Sequence, residues 1–301
     1  MSAQPHVNNL SARVAAYVQP DGGWFLNNAG WITGAERTVL VDTCATESRT
    51  RRLLDALSAH SSSPHVPLTA ALTHSHGDHA NGARLITESG GTVLVTETAA
   101  KEIANGPHTY PQVFACESWG DITPPENTTA ITDATRVDLG GGNTVEVIPV
   151  ARPAHTHGDL VVWHPHDGVL FVGDLLSHGV VPLALHGSVA GWLSTLDWID
   201  EVGARWLVPG HGPVASARDG LVTRVADYLR WLLDTASTLD DPADPEPERR
   251  ARARWADWLD PERHAVNLRV AHAEVHGYPV DVPAALAAML TAAGGQITLD
   301  L

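Results

Sequence analysis

The sequence predicts an α/β fold, and three observations carry that prediction. Short apolar runs of strand length alternate with helix-patterned segments through the first two-thirds of the chain. Clusters of His and Asp fall at the ends of those runs, beside glycines that permit tight turns. At 301 residues and 44% apolar composition, the chain buries a large core as one α/β domain plus an accessory region.

Residues 13–18, 24–28 and 38–42 read as β, with Pro20-Asp21-Gly22-Gly23 as a hairpin turn. Residues 46–59 read as a helix, capped near Thr46 or Ser48, with Leu53, Leu54 and Leu57 on its inner face. Strands are expected at 68–72 and 92–95, separated by a helix over 81–88. Residues 106–129 are rich in Pro and polar side chains and read as a long irregular loop. The second half repeats the theme, with strands near 144–150, 160–164, 169–172 and 206–208 and a helix over 191–201. Beyond Pro213 the chain reads as helical, interrupted by a linker over 239–247.

The run His74-Ser75-His76-Gly77-Asp78-His79 packs three imidazoles and a carboxylate into six residues, straight after the apolar Leu68–Leu72. Imidazole and carboxylate suit a borderline divalent ion such as zinc. A turn at a strand end aims His74 and His76 at one point and Asp78 and His79 at a second, which suggests two ions. With 17 His in the chain, single histidines mean little, but this spacing is rare by chance. Further ligands must come from other strand ends: His155 after 147–150, Asp174 closing Val169–Gly173, and His211 after Trp206–Gly210.

H-x-H-x-D-H, a His in H-T-x-G-D, then G-D-L-L and P-G-H-G, together resemble the metallo-β-lactamase superfamily over about residues 13–215. The resemblance implies an αββα four-layer sandwich, here over residues 1–215, followed by a helical C-terminal extension over 216–301. It also implies that His74, His76 and His155 hold one metal and Asp78, His79 and His211 the other, with Asp174 bridging. Two zinc ions are expected, manganese or iron being compatible. A metal-bridging hydroxide would attack an acyl carbon, with Asp78 and Asp174 as catalytic residues that orient it or relay its proton. Asp174 stands where the best-known β-lactamases carry Cys, which favours thioester hydrolases resembling glyoxalase II. The flavodiiron members carry Glu at the position of His76, so redox chemistry is disfavoured.

A finer resemblance lies in residues 16–24, 27–30, 187–191 and 267–274. These resemble actinobacterial cyclase/thioesterases of actinorhodin-type aromatic polyketide pathways, with a departure at Ser177-His178. It implies hydrolytic release or ring closure of an acyl or thioester substrate presented by an acyl carrier protein. A lactonase or general ester hydrolase is the alternative, and a non-catalytic binding protein is disfavoured by the full ligand set.

A net charge of −16 argues against nucleic-acid partners. No run is long enough to cross a bilayer, and Met1–Asn9 lacks a basic start followed by an apolar stretch, so the expected location is cytoplasmic. Cys44 and Cys116 are expected to be reduced. Trp24, His178 and His186 are candidates for the substrate pocket, and Phe25, Tyr110 and Trp119 compete for the same role with ordinary packing. His157 is balanced between structure and site. The arginines of 246–254 read as a salt-bridged helix face, because Glu246/Arg250 and Glu248/Arg252 are i, i+4 pairs. The C-terminal helices leave room for a lid or a homodimer interface.

Overall fold

The computed structural model describes residues 4–60 and 66–301; the first three residues of the segment read for a leader lie outside them. Alternation along the strands builds the architecture. Val14, Ala16 and Val18 point into one core while Ala15 and Tyr17 point into another, the period of two that a sheet buried on both faces requires. Leu160 and Val162 likewise share the first core, and Val161 turns the other way.

The first sheet has seven strands in the order 6–9, 14–18, 29–33, 38–41, 68–71, 92–96 and 129–131. The second has six, in the order 215–216, 206–211, 169–177, 160–164, 143–149 and 135–140. Their inner faces meet through Ile32, Val39, Val145, Val169 and Phe171. Helices cover the outer faces: Glu47–His60, Ala83–Glu88 and Glu97–Ala104 on the first sheet, Val189–Glu201 and the C-terminal helices on the second. This is the αββα sandwich with C-terminal helices that the sequence predicts. The parallel pairs 38–41/68–71 and 169–177/206–211 are each joined by a helical crossover, as parallel strands must be.

The helices Leu221–Ser237, Pro245–Arg254, Arg263–His276 and Val282–Ala293 share one core with the second sheet. Tyr228, Trp255 and Trp258 pack edge and face at its centre. Arg252 pairs with Glu248 at 2.9 Å, as expected, while Glu246 takes Arg249 rather than Arg250. No helix among the described residues is long and apolar enough to cross a membrane. Both cysteines are free, Cys44 buried and Cys116 partly exposed.

The structure adds elements the sequence reading lacks, the helix Glu97–Ala104 and the strands His6–Asn9, Phe114–Ala115, Thr129–Ile131 and Thr135–Gly140, and it alters three others. Residues 24–28 are turn and bridge, not strand, because Phe25 takes a φ of 60° that no strand tolerates. The strand lies at Ala29–Thr33 instead. The helix expected over 81–88 begins at Ala83, and a separate short helix, Gly77–Ala80, precedes it. The strand at Val169 runs on to Ser177, through register shifts on both sides of Gly173.

Candidate metal centre

The seven candidate ligands converge in two groups along the rim where the strand ends of both sheets meet. His74, His76, His155 and Asp174 place one ligand atom each within 4.8 Å of one another, and so do Asp78, His79 and His211. His74 and His76 follow the strand Leu68–Ala71, and the short helix Gly77–Ala80 turns Asp78 and His79 toward the second group. His155 comes from the loop between 143–149 and 160–164, and His211 ends the strand Trp206–His211. The register shifts around Gly173, whose φ is 51°, re-aim the strand at Asp174. Asp174 also needs its neighbour to be glycine, since a Cβ on Gly210 would lie 1.9 Å from its Oδ1.

Asp174 sits between the groups. Its Oδ2 lies 3.5 Å from His155 Nε2 and 4.0 Å from His74 Nε2. Its Oδ1 lies 3.1 Å from His79 Nε2 and 3.5 Å from His211 Nε2. Asp78 Oδ2 approaches His211 Nε2 at 3.2 Å.

The far nitrogen of each imidazole is tied down, which decides which nitrogen faces the cluster. His79 Nδ1 donates to Asp42 Oδ2 at 2.8 Å, His155 Nδ1 to Leu183 O at 2.9 Å and His211 Nδ1 to Gly22 O at 2.9 Å. Thr73 Oγ1 donates to Asp42, so it accepts from His74 Nδ1 at 3.0 Å. His76 turns Nδ1 toward His155 Nε2, at 3.0 Å, and Nε2 toward His186 Nδ1, at 2.9 Å. The buried His74 Nε2, His79 Nε2 and Asp174 Oδ1 have no hydrogen-bond partner among the described residues. Buried imidazole nitrogens and a carboxylate oxygen gathered this closely suit a cation shared among them.

Electrostatics within the protein alone divides the imidazoles along the same two groups. Burial, then the neighbouring imidazoles, hold His74 and His76 well below the ordinary histidine range, and burial lowers His155 to about 4. Burial also opposes protonation of His79 and His211. There the carboxylates prevail: Asp174, Asp42 and Asp78 raise His79 well above its usual value, and Asp174 and Asp78 raise His211 to about 9. Burial works to raise Asp174, but His211 and His79 hold it well below the usual carboxylate range.

A cavity of about 240 Å³ opens on the cluster at His76, Asp78, Asp174 and His211. Trp24, Phe25, Tyr110 and Phe114 wall it, and Leu286 and Met289 of the last helix complete it. Trp24 and Phe25 each pack on Phe114, at 4.9 and 5.0 Å, and the Arg263 guanidinium lies 3.8 Å over Trp24. Trp119 stays outside this wall and packs on Phe25. A second, polar cavity of about 410 Å³ lies beyond His76 and is lined by Ser75, Glu102, His108 and His157. His186 and Tyr110 border both. Burial keeps His186 below the usual histidine range.

The structure does not bring His178 to either cavity. Its Nδ1 donates to Pro213 O at 2.9 Å and its Nε2 accepts from Arg224 at 3.3 Å, which fixes the ring among the strand ends outside the chamber. Sequence reasoning missed Asp42, which holds His79, and Arg263, which stacks on Trp24. Asp42 has one local signal, an acidic residue at the end of an apolar strand; Arg263 has none.

The metallo-β-lactamase superfamily model matches residues 22–211. No curated protein matches the chain. Among solved structures, a metallo-β-lactamase from Pontibacter korlensis is 21% identical with a TM-score of 0.60, covering 75% of this chain and 99% of its own. The DIM-1 metallo-β-lactamase is 15% identical with a TM-score of 0.60, covering 76% and 99%. TMB-1 is 16% identical with a TM-score of 0.59, covering 76% and 98%. At such identities these likenesses speak for the fold. The family model spans well over half the sequence, including every candidate ligand, and the chain belongs to the metallo-β-lactamase superfamily.

Proposed function

We propose that the protein is a hydrolase of acyl compounds, thioesters foremost, dependent on two divalent ions, of which zinc suits the donor set best. His74, His76 and His155 would hold one ion, Asp78, His79 and His211 the other, and Asp174 both. The observation that carries the reading is the division of Asp174: Oδ2 belongs to the first group and Oδ1 to the second. Ions held by these residues would supply Lewis acidity toward an acyl oxygen and a water of lowered pKa.

The remaining work falls to the chain. Asp78 borders the chamber, placing its carboxylate to accept a proton from the attacking water. The wall of Trp24, Phe25, Tyr110 and Phe114 excludes bulk water and takes an apolar, flat acyl group against ring faces. Arg263 is the cation of that wall, and it is paired with Asp260 at 2.7 Å. The chamber therefore favours an uncharged acyl body over a polyanion. A carboxylate rather than a thiol at position 174 supports thioester over lactam, and an aromatic polyketide presented by an acyl carrier protein is the substrate this reading names.

The test is metal analysis of the purified chain followed by turnover of an aryl thioester, a lactone and a chromogenic lactam. The expected result is two ions per chain and a kcat/KM for the thioester at least tenfold above the lactam. One ion or fewer, or preference for the lactam, overturns the proposal. Preference for the lactone would replace thioesterase by lactonase at the same centre.

A further inference from the structure

Four of the five imidazoles in the candidate centre hand their far nitrogen to oxygen: the Thr73 hydroxyl, the Asp42 carboxylate, and the carbonyls of Leu183 and Gly22. A carbonyl or carboxylate only accepts, and the Thr73 proton is already committed to Asp42, so these partners fix one ring tautomer outright. His76 differs. Its Nε2 meets another imidazole nitrogen, Nδ1 of His186, which either gives or receives a proton depending on its own tautomer. His76 faces the cluster through Nδ1, where a ligand must present a lone pair. Its proton therefore sits on Nε2, and His186 Nδ1 must be the acceptor, with the His186 proton on Nε2.

We propose that His186 is a positioning residue for the metal centre: it locks the ring and tautomer of His76 and thereby sets the affinity of the first group for its ion. The surroundings hold His186 to this task. The following residue, Gly187, packs so closely that a Cβ there would lie 1.9 Å from Ala154 O, which binds the loop of His186 to the loop of His155. Ser188 N donates to the same carbonyl at 2.9 Å. On its other side the His186 ring stacks on Tyr110 at 23°, and Tyr110 on His108 at 19°. The His108 ring is fixed in turn by donation from Nε2 to Glu102 O, at 2.9 Å. His186 and Tyr110 border both cavities, so the ring that braces a ligand also lines the chamber.

The inference rests on the proposed role of His76 as a ligand, and chelator competition on the full-length holoprotein separates the two. Wild type is expected to hold two zinc ions. His186→Leu, which removes the acceptor, is expected to lose about 10–100-fold in affinity for one ion and to keep the other, the usual cost of losing a partner behind a metal-bound histidine. His186→Asn, whose Oδ1 can accept in place of Nδ1, is expected to recover most of that loss. A residue that merely lined the pocket would change KM in both variants and leave zinc affinity alone. Wild-type affinity at both ions in His186→Leu, or equal damage in the two variants, overturns the inference but spares the proposed function. Failure of wild type to bind zinc overturns both. Ring-nitrogen NMR of the zinc-loaded wild type needs no variant: a His186 protonated at Nδ1 also overturns it.

Discussion

Asp42 receives three hydrogen bonds while ligating nothing: from Thr73 N at 2.6 Å, from Thr73 Oγ1 at 2.8 Å and from His79 Nδ1 at 2.8 Å. It is buried, with a φ of 59°, a conformation an aspartate tolerates and most side chains do not. Through Thr73 it also fixes His74, so one carboxylate orients an imidazole in each group. Burial raises its pKa, and the charge of His79 with the hydrogen bonds from His79 and Thr73 opposes that rise. Asp42→Ala should therefore weaken zinc binding by about 10–100-fold, read by chelator competition, with a folded chain by circular dichroism. Asp42→Asn should sit nearer to alanine than to wild type, because its amide end presents a donor to one of three donors. Unchanged zinc affinity in both variants would remove Asp42 from the centre. The sequence hides this residue for a physical reason: its partners lie 31 and 37 positions away, and a lone Asp at a strand end carries no spacing to read. The hexad at 74–79 is legible because its chemistry is concentrated in one turn.

Among the elements, the helix Val189–Glu201 joins the C-terminal helices to the second sheet. Ser188 caps it, with Oγ accepting from Gly191 N at 3.0 Å. Glu274, from the helix Arg263–His276, reaches the same end and accepts from Ser188 Oγ, Val189 N and Ala190 N at 2.7–3.0 Å. A carboxylate there satisfies free amides and meets the positive end of the helix dipole. Glu274→Ala should lower unfolding stability by about 2 kcal/mol, since hydrogen bonds to a charged group are worth roughly 1.5–3 kcal/mol. Ser188→Ala should cost ~1 kcal/mol. Urea denaturation reads both, and unshifted midpoints would show that the two helices dock without this contact. Element existence is largely legible from periodicity, as at 47–60, 160–164 and 189–201. Positive φ is less visible: Phe25 breaks the apparent strand 24–28, and the bulge at Gly173 extends one that reads as ended. Contacts such as Glu274 to Ser188, 86 residues apart, belong to topology and leave no local mark.

At the scale of the molecule the candidate ligands straddle the two sheets. His74, His76, Asp78 and His79 follow a strand of the first, whereas His155, Asp174 and His211 sit on strands or loops of the second. Ions bound here would therefore join the layers across the rim, while the inter-sheet core of Ile32, Val39, Val145 and Phe171 joins them from below. Without cations the rim confines the buried His74 and His155 and the half-buried His76, all held at low pKa, an arrangement the rest of the fold must sustain. A ligand that binds only the folded chain stabilises it by about 4 kcal/mol at a thousandfold excess over its Kd. Chelation should thus lower the thermal midpoint by roughly ten degrees for each ion removed, taking about 2–4 °C per kcal/mol, the value for somewhat shorter chains. Zinc should restore the midpoint in full, and magnesium should not, since it prefers oxygen donors and retains its waters. Asp174→Asn, which keeps the shape but gives up the charge between the groups, should show a smaller zinc-dependent rise than wild type. The decisive comparison is the same calorimetric scan before and after chelator, with metal content measured on each sample. A midpoint unmoved by verified loss of both ions would confine the centre to catalysis and leave the core, with the hydrogen bonds of Asn28 to Pro209 and Gly212 and of Leu160 to Thr73, to hold the sheets together.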